Sequence, residues 1–235
     1  MNNSHIMYDS MLDSIYSFAR GPMLWAAVLI LCAGTVYRIY ELYLLTSRKK
    51  KRLLPASAAK VSLSPEEQTL DRLARFQQSA FAVHPVMFIV SILFHICLFA
   101  APLLALGHSL EIYRSWGITP PSLPEPLIDG MTVIVLLCGI FFLMRRLVLP
   151  RVQAISTLAD YVLLACVMAP FLTGFFAYHH IFDYKTVITL HLLAGNILLI
   201  VLPFSKIGHM VYFFFVRLFI GSEFGPARGS REWKP

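Results

Sequence analysis

Five long apolar stretches, set apart by polar, basic or proline-rich segments, give the chain its pattern. A helix rises ~1.5 Å per residue, so the ~30 Å hydrocarbon core of a bilayer asks for about 20 apolar residues in a row. Runs of that length are predicted at about residues 22–45, 81–106, 127–149, 158–178 and 185–220. The expected fold is therefore an all-α integral membrane protein, a five-transmembrane-helix bundle over residues 1–220 with a polar tail at 221–235. The first twenty residues have no basic lead, apolar core or small-residue cleavage site, so they read as no signal peptide. A short surface-lying helix over residues 8–18 fits them, and Pro22 fits the first turn of span 1. Ser64, Pro65 and Glu67 form an N-cap signature opening an amphipathic helix, with Leu70, Leu73 and Phe76, that feeds span 2. Pro85 marks a new helical start at His84, and Pro170 predicts a kink in span 4. Segment 107–126, with Trp116-Gly117 and Pro120, Pro121, Pro124 and Pro126, reads as an ordered or extended loop.

Charge fixes the expected topology. The segment 46–80, the segment after span 3 and the tail from Arg217 together carry fifteen Lys and Arg, against three on the opposite side. Cytoplasmic segments collect the positive charge, so the amino terminus is predicted periplasmic and the carboxyl terminus cytoplasmic. The same bias accounts for most of the net +7, and residues 48–52 read as a topology determinant rather than a nucleic-acid site. With 57% hydrophobic and 14% charged residues, against ~25% charged in soluble domains, this is not a soluble domain on one anchor. Cys32, Cys97, Cys138 and Cys166 each sit inside an apolar run and form no Cys-x-x-Cys pair, which argues against zinc, iron–sulfur clusters and disulfides. No Cys-x-x-Cys-His occurs, so any haem is held by ligands alone.

The chemistry lies in histidines at membrane depth, where ionisable groups are costly and point to function. His84 and His95 are 11 residues apart on span 2, about three turns and ~16 Å. His191 and His209 are 18 apart on span 5, five whole turns and ~27 Å. If spans 2 and 5 run antiparallel, His84 comes level with His209 and His95 with His191. Facing imidazoles of this kind are the axial ligands of a b-type haem, and two such pairs would stack two haems roughly 20 Å apart. Any one of these histidines alone reads better as a helix–helix hydrogen bond or a proton relay; the four in register point to haem. Gly195 and Gly208 leave room for a flat macrocycle or, equally, mark close helix packing. Arg38 pairs with Glu41 and snorkels to the interface, or meets a haem propionate, as does Lys206. His108, His179 and His180 fall at the outer edge as interfacial residues, or one of them takes a proton from a quinol. Asp129, Arg114 and Lys185 lie on the same side and are quinone-site candidates.

Five spans, two histidines three turns apart on the second and two eighteen apart on the fifth resemble the di-haem cytochrome b gamma subunit of respiratory nitrate reductases. The segment PFSKIGHMVYFFFVR is more similar to relatives of that subunit in membrane redox complexes of sulfate-reducing bacteria. The resemblance covers nearly the whole chain. It implies a multi-pass subunit of a quinol:acceptor oxidoreductase in the bacterial inner membrane, with two non-covalent b haems and menaquinone or another quinone as substrate. Quinol would be oxidised beside the outer haem, held by His95 and His191. Electrons would pass the inner haem, held by His84 and His209, to a cytoplasmic iron–sulfur subunit. A hetero-oligomeric complex in membrane lipid follows, with no nucleic-acid partner. Two rival readings stand beside it: a conduit serving a periplasmic multihaem cytochrome c, and a non-redox transporter using histidines as a proton relay.

Overall fold

A computed structural model describes residues 3–49, 84–209 and 212–213. The expected N-cap at Ser64, the amphipathic helix after it, most of the basic cluster, the start of span 2 before His84, and the tail at 221–235 lie outside the described residues. So does most of the stretch 210–220.

The described chain is helical without strands: α1 Asn3–Arg20, α2 Pro22–Lys49, α3 Pro85–Leu104, α4 Leu106–Trp116, α5 Glu125–Val148, α6 Pro150–Gln153, α7 Leu158–Tyr178 and α8 Tyr184–Val201. Short 3-10 turns follow at Leu202–Phe204 and Lys206–Gly208. Five helical segments are long and apolar enough to cross a membrane: Met7–Leu44, Pro85–Leu104, Glu125–Val148, Leu158–Tyr178 and Tyr184–Phe204. This is the architecture of a multi-pass membrane protein, and the large side chains it leaves exposed, Ile96, Leu103, Leu137 and Ile140 among them, suit lipid.

The chain divides into two compact units. One comprises residues 1–24 and 79–198. In it α5 packs face to face with α3 and with α7. The α3 face is Phe94, Cys97, Leu98 and Ala101, at the i, i+3, i+4, i+7 spacing of a helical stripe. Phe94 meets Phe142 of α5 edge to face, ring centroids 5.1 Å apart. Gly139 lets α5 approach α7, because a Cβ there would run into the Met168 thioether. The second unit comprises residues 25–78 and 199–235. Within it Gly34 lies against Pro203 and Phe204 with no room for a Cβ.

Residues 8–18 are helical, as expected, within α1, and α1 touches α8: Tyr8 meets Thr186 at 3.3 Å, Asp13 meets Lys185 at 2.6 Å, and the Asn196 amide donates to Ala19 O at 2.7 Å. Polar residues of α1 are thus partners for α8 and, through Arg20, for α4. Two sequence expectations are corrected. Segment 107–126 is not all loop, since α4 takes up residues to Trp116. Gly117, at φ 69°, ends α4 in the left-handed conformation glycine favours, and only residues 117–124 lie outside a helix. Span 5 does not run unbroken to residue 209. Pro203 cannot donate to the helix, Ser205 is extended at φ −114° and ψ 174°, and α8 stops at Val201.

Helix starts follow ordinary chemistry. The Asp160 carboxylate accepts the Thr157 amide and hydroxyl at 2.8 and 2.9 Å ahead of α7. Asp183 accepts the Thr186 amide and hydroxyl at 2.8 and 2.7 Å ahead of α8. These bonds to the Thr186 hydroxyl and amide hold the Asp183 carboxyl below its ordinary value. A depressed carboxylate stabilises the fold above its unfolded pKa and loses that contribution as pH falls through its folded one. The wild type should therefore be more thermostable than Asp183→Ala at about pH 6, and the gap should close below about pH 4. Circular-dichroism melts in detergent across that range test it; a gap that does not change with pH would refute it.

Candidate functional site

His191 stands seven residues into α8 and turns toward α7. Its Nδ1 donates to Pro170 O at 2.9 Å, with the Thr173 hydroxyl 3.4 Å away. Gly174 lies beside the ring, where a Cβ would stand only 3.2–3.3 Å from Cε1 and Nδ1. Pro170 O also accepts the Thr173 hydroxyl at 3.2 Å, and its two lone pairs serve both partners. A carbonyl can only accept, so the proton is on Nδ1 and the lone pair on Nε2.

The same tautomer recurs. His95 donates Nδ1–H to Ser91 O at 2.6 Å, one turn back on α3, with the Phe94 ring edge-on 5.4 Å away. His209 donates to Lys206 O at 2.7 Å and His108 to Pro102 O at 2.7 Å. A backbone carbonyl on Nδ1 is the usual outer partner of a metal-ligating histidine; it fixes the ring and makes Nε2 more basic. His95, His191 and His209 thus share one tautomer, with the proton on Nδ1 and the lone pair on Nε2. His84, an exposed residue at the N-cap of α3, is the remaining predicted ligand. It belongs to one compact unit and His209 to the other.

The ring stacked on His191 is His108, with centroids 5.8 Å apart and planes within 18°. His108 was expected as an interfacial loop residue; it is instead on α4, against a predicted ligand. Stacking meets a face of the His191 ring, whereas the Nε2 lone pair lies in the ring plane. Among the described residues no three His, Cys, Asp or Glu side chains gather as a metal site, and bis-imidazole ligation asks for two.

The other predicted residues are engaged with separate partners. Asp129 pairs with His179 Nε2 at 3.0 Å, Arg114 with Glu111 at 3.1 Å, and Lys185 with Asp13. Arg38 donates to Glu41 at 2.8 Å, the i, i+3 pair the sequence suggested. Lys206 opens the second 3-10 turn, where its carbonyl holds His209. Gly195 has open space at its Cβ position, whereas Gly208 is packed by the Tyr212 ring and Leu202 O, so close packing accounts for Gly208. Gly174 is the glycine beside a predicted ligand, and the sequence offered only its place one turn after Pro170 as a signal.

No family model matches the chain. A protein of Nitratidesulfovibrio vulgaris (strain Hildenborough), whose name states no activity, is 32% identical over 222 residues, covering 94% of this chain and 98% of that protein. The two chains belong to one family. Its members share nearly their whole length, so the likeness extends over the multi-span chain rather than one segment of it.

Proposed function

We propose that this chain is the membrane cytochrome b subunit of a respiratory redox complex in the bacterial inner membrane. It passes electrons between the quinone pool, menaquinone included, and a cytoplasmic iron–sulfur subunit. The observation that carries the reading is the shared tautomer of His95, His191 and His209, each with Nδ1 on a backbone carbonyl; Nε2 is the nitrogen that would ligate. His95 with His191 would hold the outer haem and His84 with His209 the inner one. Haem bound there supplies one-electron transfer at its iron.

The chain's own residues do the rest. Pro170 O and Gly174 set the plane of the His191 ring, and Ser91 O sets that of His95. The half-exposed Arg38, with Glu41, and the exposed Lys206 are the cations on hand for propionates. The distribution of Lys and Arg supports an outer amino terminus and an inner carboxyl terminus. His108 on His191 would favour an imidazole proton relay instead, and haem content separates the two readings. A pyridine haemochrome assay on the purified chain should give two non-covalent b haems per polypeptide. Haem-free protein, or haem that resists acid-acetone extraction, would refute the proposal.

A further inference from the structure

Between Leu202 and His209 the chain turns through two short 3-10 pieces, and Pro203, Ile207 and Gly208 within it are buried. Pro203 is buried completely. What lies against it is Gly34 of α2, itself buried. A Cβ on Gly34 would stand 2.8 Å from Pro203 Cγ, 2.9 Å from Pro203 Cβ and 3.0 Å from Phe204 Cζ. Carbon atoms in contact rest about 3.5–4.0 Å apart, and a proline ring cannot swing aside as an open side chain can. Glycine weakens a helix interior relative to alanine, and Pro203 is the packing reason for it at 34. From this seat the bonds lead to the histidine. The Ser205 hydroxyl accepts the Ile207 amide at 3.2 Å, and Ser205 O accepts the Gly208 amide at 3.1 Å. Lys206 O takes the Nδ1–H of His209 at 2.7 Å. Beyond the histidine, the Tyr212 hydroxyl donates to Pro203 O at 3.2 Å, and the Tyr212 ring lies against Gly208. Residues on both sides of His209 thus tie back to the turn that opens at Pro203.

We infer that Gly34 is a positioning residue for the proposed haem ligand His209: its missing side chain admits Pro203, and the turn seated there aims the imidazole. This rests on the redox reading above. It gives α2, which has no histidine of its own, the placing of one inner ligand. Helical periodicity ends at Val201, so the eighteen-residue spacing from His191 does not set the bearing of His209. The turn sets it, and the turn rests on α2. Ligand rings held from outside depend on that support for their orientation, as metal-ligating histidines generally do. A methyl group at 34 would push on Pro203, and the bonds from Ser205, Lys206 and Tyr212 would carry the displacement to the His209 ring.

The test uses the full-length chain in lipid nanodiscs, read by redox titration of the haem bands and by hydrogen–deuterium exchange of peptides covering residues 202–209. Gly34→Ala should shift or abolish the wave that His209→Ala removes and leave the other wave in place. It should also speed exchange across residues 202–209 about tenfold. The double variant Gly34→Ala with Pro203→Gly clears both proline atoms from the new methyl group, and should bring the wave and the exchange back toward the wild type. Both waves moving together in Gly34→Ala, or a double variant no better than the single one, overturns the assignment. If haem is present and neither wave nor exchange responds to Gly34→Ala, the seat is wrong and the redox function stands. If the wild type carries no haem, the redox function fails, and exchange alone decides the seat. Faster exchange in Gly34→Ala that the double variant reverses then keeps Gly34 as the support of the turn, and equal exchange in the three proteins overturns it.

Discussion

Replacing His191 with alanine is expected to remove one of the two proposed haems and quinol-linked reduction with it, while leaving the polypeptide folded. The ring is held from outside its own helix, by Pro170 O and the bare backbone at Gly174, so its orientation is built by α7 as much as by α8. Redox titration should lose a single wave, and His95→Ala should lose the same one. His84→Ala and His209→Ala should both lose the other. Gly174→Leu leaves all four histidines in place but forces the His191 ring off Pro170 O. Outer partners of metal ligands are worth about 10–100-fold in metal affinity, so this variant should retain haem more weakly by a factor in that range. Haem content unaltered in His191→Ala would remove the ligand assignment, and different waves lost in His84→Ala and His209→Ala would remove the pairing.

Glu111→Ala is expected to be among the most destabilising single changes on α4. Arg20 donates to Glu111 through Nε at 3.0 Å and Nη2 at 2.6 Å, the bidentate fork that suits guanidinium and carboxylate. Each side chain is about one-third exposed, so removing the carboxylate leaves a partly desolvated guanidinium without its bidentate partner, at about 2 kcal/mol. The double variant Arg20→Leu with Glu111→Ala should recover most of the loss, because both charges then leave together. Arg114, exposed and single-pronged on the same carboxylate, should cost no more than about 1 kcal/mol when replaced by alanine. Equilibrium unfolding of the four proteins completes the cycle. Additive losses from Arg20→Leu and Glu111→Ala would show that the two groups do not interact.

The five spans were legible because a long apolar run answers to one constraint, the satisfaction of every backbone group within the helix. What hid from the sequence was decided by single residues. α4 was obscured by the prolines beyond it, which coloured the whole segment as loop, although Leu106, Leu110 and Tyr113 already held helical spacing. Ser109, on that same face, looked like any small polar residue near a span end; only its burial shows a hydroxyl without a partner among the described residues. The unbroken register from His191 to His209 gave way to Pro203 and Ser205, both visible in the sequence but outvoted by the apolar residues around them. The carbonyl partners of His108, His191 and His209 could not be read at all, because which oxygen meets an imidazole depends on how the chain packs around Pro102 and Pro170 and on the turn at Lys206.

The pairing of α1 with α8 has a consequence for how the protein is made. α1 leaves the ribosome well before α8, and Ala19 O waits 177 residues for the Asn196 amide. At ~5–20 residues per second that is roughly ten to thirty-five seconds of synthesis. Over about half that interval Arg20 is also without Glu111, which follows 91 residues later. The amino-terminal helix is thus committed to the bilayer, or withheld from it, long before the chain that satisfies it exists, and its final seating is a late event in biogenesis.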